Sequence, residues 1–408
     1  MPSLKKKRLE QRRKENIMDF KKLKSFQDSL QETYHIPATD CQITWNHKIV
    51  YRHMTGHSDL AGSRSVSQQD LYRLYSATKV ITSTAVLQLM EQNRLDLYDD
   101  IRKYLPEFTN LRVADRFDMR FPIQWPDEKT PCHLAHSNIR LIDLLSMTAG
   151  LSYDTQSPFL AERKRGSGNQ ATTREMMSAI AQMPLIYEPG TRWGYSLAHD
   201  VLAAVVEAVS GMRFGQYLHE NIFSPLGLRD FTFLPDKRQE GRLSALYAAD
   251  FHTGELKPAS PEMASSFQFT PNYESGGAGL IGTVSDYSDF LDALCNDGIA
   301  RNGARILSPE SIDLLSTNYL TGRMLEDFLA TGKKGYGYGL GVRVLIDRTA
   351  SRSFPGEFGW DGAAGAYALA DPVNHISIFY AQHILGFPAV YSEIHPRIRD
   401  LAYEGMGL

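Results

Sequence analysis

Ser76 and Lys79, in the run Leu74-Tyr-Ser-Ala-Thr-Lys79, are the pair in this chain best suited to covalent chemistry. If the segment opens a helix, both side chains project from one face with Cβ atoms ~5–6 Å apart. An amine at that range can take the proton of a serine hydroxyl, which a serine nucleophile working without histidine requires. The spacing alone carries little weight. With 32 Ser and 16 Lys in 408 residues, about one such pair arises by chance, and a second copy stands at Ser3 and Lys6. Context separates the two. Val80, Ile81, Thr84, Ala85, Leu87, Gln88 and Leu89 follow Ser76, and apolar positions recurring every three and four residues predict a buried helix. A lysine in its first turn would be desolvated, which lowers its pKa and fits it to act as a base. The alternative is a capping serine followed by an exposed lysine.

Two other segments bear on the same chemistry. Tyr195 lies in Gly190-Thr-Arg-Trp-Gly-Tyr195-Ser-Leu197, just ahead of a helix predicted at 198–210. Beside a serine and a lysine its phenol can carry a proton to a leaving group; taken alone it reads as a hydrogen-bonded core tyrosine. The overlapping Gly194-Tyr-Ser196-Leu-Ala198 lacks the last glycine of a Gly-x-Ser-x-Gly elbow, and no strand leads into it. Phe358-Gly-Trp360-Asp361-Gly362-Ala363-Ala-Gly365 lies between two strand-like runs. Small residues there let a substrate approach a strand edge. A backbone N–H of that edge can join the N–H of Ser76 in an oxyanion hole. The alternative is a glycine-rich turn.

The elements that must position these groups follow from periodicity. Helices are expected at 19–33, 140–147, 173–182, 198–210, 213–220, 285–296, 308–315 and 387–404, besides the one after Ser76. A hairpin over 41–54 turns at Asn46-His47, and strands are expected at 338–346, 364–370 and 375–383. Strands at both ends and helices between them predict an α+β fold. Its antiparallel sheet is built from both termini and flanked by helices. Residues 18–100 and 275–408 would form the α/β domain and 101–274 a mainly helical insertion.

Taken in this order, the three segments resemble the serine β-lactamase and penicillin-binding-protein superfamily, which uses Ser-x-x-Lys. The chain is most similar to the class C branch and to the family VIII carboxylesterases. The likeness runs from about residue 30 to 400 and includes Leu144-Leu-Ser-Met-Thr-Ala-Gly150-Leu, Glu188-Pro-Gly-Thr-Arg-Trp-Gly-Tyr-Ser and Gly276-Gly-Ala-Gly-Leu-Ile-Gly-Thr-Val-Ser-Asp-Tyr-Ser-Asp-Phe290. It implies a β-lactamase/transpeptidase-like fold, with Ser76 as nucleophile, Lys79 and Tyr195 as proton acceptors, and the N–H groups of Ser76 and Ala363 as the oxyanion hole. No cofactor or metal is implied. Two departures point away from lactam hydrolysis. Leu197 stands where class C enzymes carry asparagine, and Trp360, followed by Asp361, stands where they carry a lysine facing the antibiotic's carboxylate. A carboxylate in place of that cation would repel an anionic β-lactam. Trp360 is typical of the esterase branch and would offer an apolar wall to an acyl or alcohol group. Trp360, Asp361, Gly362 and Leu197 are thus the expected substrate contacts, and a small-molecule ester the expected substrate. An acyltransferase, an aminopeptidase with Asp361 holding a substrate ammonium, and a non-catalytic binding protein are the rival readings.

Composition bounds the rest. Hydrophobic residues make up 42% and charged residues 22%, as in globular proteins. No apolar run approaches the ~18 residues of a membrane span. Cys41, Cys132 and Cys295 are few and widely spaced, which suggests free thiols and a cytoplasmic protein. Residues 1–17 carry seven Lys or Arg and two Glu, a net +5 that leaves −8 for the remainder of a −3 chain. They read as a basic disordered tail, or as sequence ahead of a true start at Met18, and no nucleic-acid partner is expected from them. His53 with His57, and His133 with His136, have metal-like spacing, but lie in loop-like sequence without a third ligand, so no metal site is expected.

Overall fold

The computed structural model describes residues 18–119, 125–126, 129–250 and 253–408; the tail expected at 1–17 lies outside them. Asn46 and His47 take φ values of 48° and 65°, the left-handed pair that a two-residue hairpin turn needs. Ala38–Trp45 (β1) and Lys48–Gly56 (β2) accordingly pair antiparallel. The C-terminal part supplies Tyr336–Tyr338 (β3), Arg343–Leu345 (β4), Phe358–Gly359 (β5), Tyr367–Asp371 (β6) and Ile376–Ala381 (β7). These join in the order β2-β1-β7-β6-β5-β4-β3, each pair antiparallel. The sheet is therefore closed by pairing the two ends of the chain, with Ile43 of β1 opposite Ile378 of β7. The single strand expected at 338–346 is instead the hairpin β3–β4. Gly341, at φ 78°, turns the chain back, and the Gly339 N–H donates to the Val342 carbonyl at 2.7 Å.

The helices that frame the site are Lys21–Tyr34 (α1), Thr78–Glu91 (α2), Ala198–Ser210 (α3), Val284–Cys295 (α4) and His395–Gly405 (α5). Alternation along β7 sorts its side chains to two faces. Ile376, Ile378 and Tyr380 pack with Leu23 and Leu30 of α1 and Ile398 and Leu401 of α5. Phe379 and Ala381 face the larger core, where Tyr287 of α4 stacks on Phe379 with ring centroids 4.2 Å apart. In α2 every residue from Thr78 to Leu89 is buried. A helix enclosed all round belongs in the interior, and α2 packs against α3. The short hairpin of Arg112–Ala114 with Cys132–Leu134 pairs antiparallel, and Val113 bridges to Leu185 on the segment leading to Tyr195. Among the described residues no helix is long and apolar enough to cross a membrane.

Candidate active site

Ser76 sits in a 3₁₀ turn, Tyr75–Ala77, and α2 begins two residues later than expected, at Thr78. Several contacts pin this turn. Leu74 N–H donates to the Leu280 carbonyl at 2.9 Å, Tyr287 hydroxyl to the Ala77 carbonyl at 2.6 Å, and Leu280 N–H to Thr78 Oγ1 at 3.2 Å. Tyr75 takes φ 45°, an unusual conformation for a bulky residue that persists only where the surroundings over-determine it.

Lys79 has no exposed surface. Its Nζ donates to the Gly277 carbonyl at 2.7 Å and to Ser76 Oγ at 3.3 Å. It also lies 4.7 Å from the ring centre of Tyr195 and 5.6 Å from that of Tyr153. Burial pulls the Lys79 pKa down to about 7, against the opposing pull of the Asp200 carboxylate. Two glycines make this approach possible. A Cβ on Gly276 would run into the His199 carbonyl of α3, and one on Gly277 would lie 2.5 Å from Asp200 Oδ2. Asp200 itself is buried, which raises its pKa against the pull of Ser275, Lys79 and Tyr273; the Tyr273 hydroxyl donates to its Oδ1 at 2.9 Å.

Tyr195 reaches the Ser76 side chain with its phenol, and so does Tyr153. The two rings are 4.9 Å apart. Burial raises the pKa of both phenols, against the pull of Ser76. Tyr153 is the residue that sequence reasoning missed. The only sequence signal is its place two residues beyond the Leu144–Leu151 run. The two tyrosine segments are tied together by Leu197 N–H donating to the Ser152 carbonyl at 2.9 Å.

The expected substrate contacts divide. Trp360 is 7% exposed. Its indole stacks on Tyr195 and Nε1 donates to the Tyr195 hydroxyl at 2.9 Å, so it serves the phenol rather than forming an open apolar wall. Leu197 is buried in the main core and contacts no open space. Gly362 has both backbone groups engaged, its N–H with Ala366 and its carbonyl with the Tyr391 hydroxyl. Its lack of a side chain lets the turn between β5 and β6 lie against the Leu74 carbonyl, beside the serine turn. Asp361 is engaged by cations of the chain itself. Arg343 Nη1 donates to one of its oxygens at 2.9 Å and Lys333 Nζ to the other at 2.7 Å. Burial would raise its pKa, but Lys333, Arg343 and His395 hold it well below the ordinary carboxylate range. The charge expected to repel an anionic lactam or attract an ammonium is thus spent internally. Ala363 is partly exposed, and its N–H has no intramolecular backbone acceptor among the described bonds.

A serine at the mouth of a buried helix, a dry lysine and paired phenols, set beside an antiparallel sheet, define the β-lactamase/transpeptidase-like fold class. The chain belongs to the Beta-lactamase family, whose sequence model matches residues 23–403. It is 30% identical over 345 residues to Protein Rv1367c of Mycobacterium tuberculosis, covering 82% of each chain. It is 28% identical to Esterase EstB of Burkholderia gladioli, over 87% of this chain and 88% of that one. Among solved structures it resembles EstCE1, described as a hydrolase with promiscuous acyltransferase activity. That match has a TM-score of 0.76 and 25% identity over 94% of this chain and 98% of the other.

Proposed function

We propose that this serine hydrolase is a carboxylesterase that cleaves small to medium esters through an acyl-enzyme on Ser76. The observation that carries the reading is the dry Lys79 amine, 3.3 Å from Ser76 Oγ, with the phenols of Tyr195 and Tyr153 on the same oxygen. Ser76 Oγ attacks the ester carbonyl as its proton passes to Lys79, with Tyr195 bridging the two. The N–H groups of Ser76 and Ala363 receive the oxyanion. Tyr195 returns a proton to the departing alkoxide. Its hydroxyl accepts from Trp360 Nε1, a bond that orients the phenol and offsets part of the rise in pKa that burial imposes on it. Water then attacks the acyl carbonyl, releasing the acid and restoring Ser76. The bound Asp361 removes the argument for a peptide ammonium site, so esters are favoured over aminopeptidase substrates. The free cysteines, two of them buried, support a reducing compartment such as the cytoplasm.

Acyl transfer to an alcohol uses the same acyl-enzyme and is the second reading, favoured by the activity described for EstCE1. Intact mass after a fluorophosphonate probe, with p-nitrophenyl acetate and butyrate turnover in parallel, tests the proposal. Wild type should gain one adduct and turn over both esters, and Ser76→Ala should do neither. An adduct that persists in Ser76→Ala overturns the assignment, and an unlabelled, inactive wild type favours a binding protein. Products formed with added alcohol separate hydrolysis from transfer.

A further inference from the structure

His133 and His136 lack a third ligand nearby in sequence, but the fold brings one from 52 positions further on. Glu188 Oε1 lies 3.1 Å from His133 Nε2 and 3.1 Å from His136 Nδ1, and one ligand atom from each of the three residues falls within 4.8 Å of the others. In a tetrahedral zinc site with bonds of ~2.0–2.1 Å, ligand atoms stand ~3.3 Å apart. Two of the three separations already match this spacing, and the third, between the histidines, lies within 4.8 Å. Two further features match a built site. His133 Nδ1 lies 2.7 Å from Asp115 Oδ1, the carboxylate–imidazole arrangement that fixes the ring of a metal-ligating histidine. The Glu188 carboxylate is held in place by the His136 backbone N–H, at 3.2 and 3.1 Å from its two oxygens.

We propose that His133, His136 and Glu188 bind one divalent transition-metal ion of the zinc class, with Asp115 orienting His133. Two imidazoles and one carboxylate suit zinc, cobalt or nickel rather than magnesium or calcium, which prefer oxygen ligands throughout. Three protein ligands leave a fourth position for water, and the His136 side chain, 80% exposed, gives the ion an open path. The ion would tie the Arg112–Ala114/Cys132–Leu134 hairpin to the segment Glu188–Tyr195, seven residues from ligand to phenol. Its role is therefore to brace the tyrosine loop, outside the hydrolytic steps themselves.

The test uses the full-length protein stripped by chelator and then titrated with Zn²⁺, Co²⁺ and Mg²⁺. Wild type, His133→Ala and His136→Ala are followed by calorimetry, thermal unfolding and the visible spectrum of Co²⁺. The expected result is one Zn²⁺ per chain, a Tm that rises by a few degrees with free Zn²⁺, and Co²⁺ bands of tetrahedral intensity. All three should be lost in both variants and absent with Mg²⁺. Because His136 is exposed, its variant should keep the metal-free Tm, which shows that a lost response is not a lost fold. Absence of saturable Zn²⁺ binding in wild type, or binding unchanged in both variants, overturns the proposal.

Discussion

Lys79 has given up all its hydration, and Asp200 restores only part of what the ammonium form has lost. A base with a pKa of about 7 is half neutral at neutral pH, which suits proton transfer in both directions. Ester turnover measured as kcat/KM should fall as pH drops through about 7 and level off above it, because the protonated amine cannot accept the serine proton. Asp200→Asn removes the anion that favours the ammonium. Its inflection should therefore move to lower pH, and an unmoved inflection would mean that Asp200 only packs. The phenols should separate by size of effect. Tyr195→Phe removes the proton carrier, worth ~10²–10⁴-fold. Tyr153→Phe removes a hydrogen bond at Ser76, worth up to about tenfold. Single-turnover acylation rates would compare them, and equal losses would give Tyr153 a share in proton transfer.

Elements meet at this site through residues that have no side chain. Gly362 lets the turn between β5 and β6 lie against the turn that carries Ser76, so the candidate oxyanion donors of Ser76 and Ala363 come from elements far apart in the chain. Gly362→Ala would force its Cβ onto the Leu74 carbonyl. Overpacking of this kind costs about 1–3 kcal/mol, readable by urea denaturation, and ester turnover should fall further than stability as the two donors separate. Gly166→Ala, whose Cβ meets nothing within 4 Å, should stay within about 0.5 kcal/mol. Comparable losses in both variants would remove the argument from close approach.

At the scale of the molecule, Asp361 links β5 to β4 and to the segment before β3 through Arg343 and Lys333. Its folded pKa lies below the unfolded value. The pair therefore adds stability above the ordinary carboxylate range of ~3.9, and that stability drains away as pH falls through and below it. Asp361→Asn leaves the buried Arg343 guanidinium with Glu357, at 3.5 Å, as its remaining carboxylate, beside the Ala368 carbonyl at 3.0 Å. Breaking a buried pair in this way costs about 3–5 kcal/mol. Urea unfolding should show that deficit at pH 7 and a smaller one near pH 3, and an equal deficit at both would mean that packing rather than charge is lost.

What the sequence determined by itself is local. The apolar spacing after Ser76 predicts α2, and the three-residue spacing places Lys79 one turn from the serine, although the turn that holds Ser76 is fixed by Leu280 and Tyr287. Asn46-His47 sets the β1–β2 turn because those two residues tolerate left-handed backbone. Gly341 marks the limit of such reading: the apolar run 338–346 looks continuous, and only its positive φ splits β3 from β4. The fold decided what depends on distance in space. Tyr153, Asp200 and Gly277 converge on Lys79 from separate segments. Arg343 reaches Asp361 because β4 pairs with β5, Arg343 opposite Gly359. A side chain's partner is fixed by strand pairing and helix packing, whose contacts are non-local. The spacing of residues along the chain therefore proposes the nucleophile and its base, while the charge state of Asp361 and the second phenol are decided only when distant segments meet.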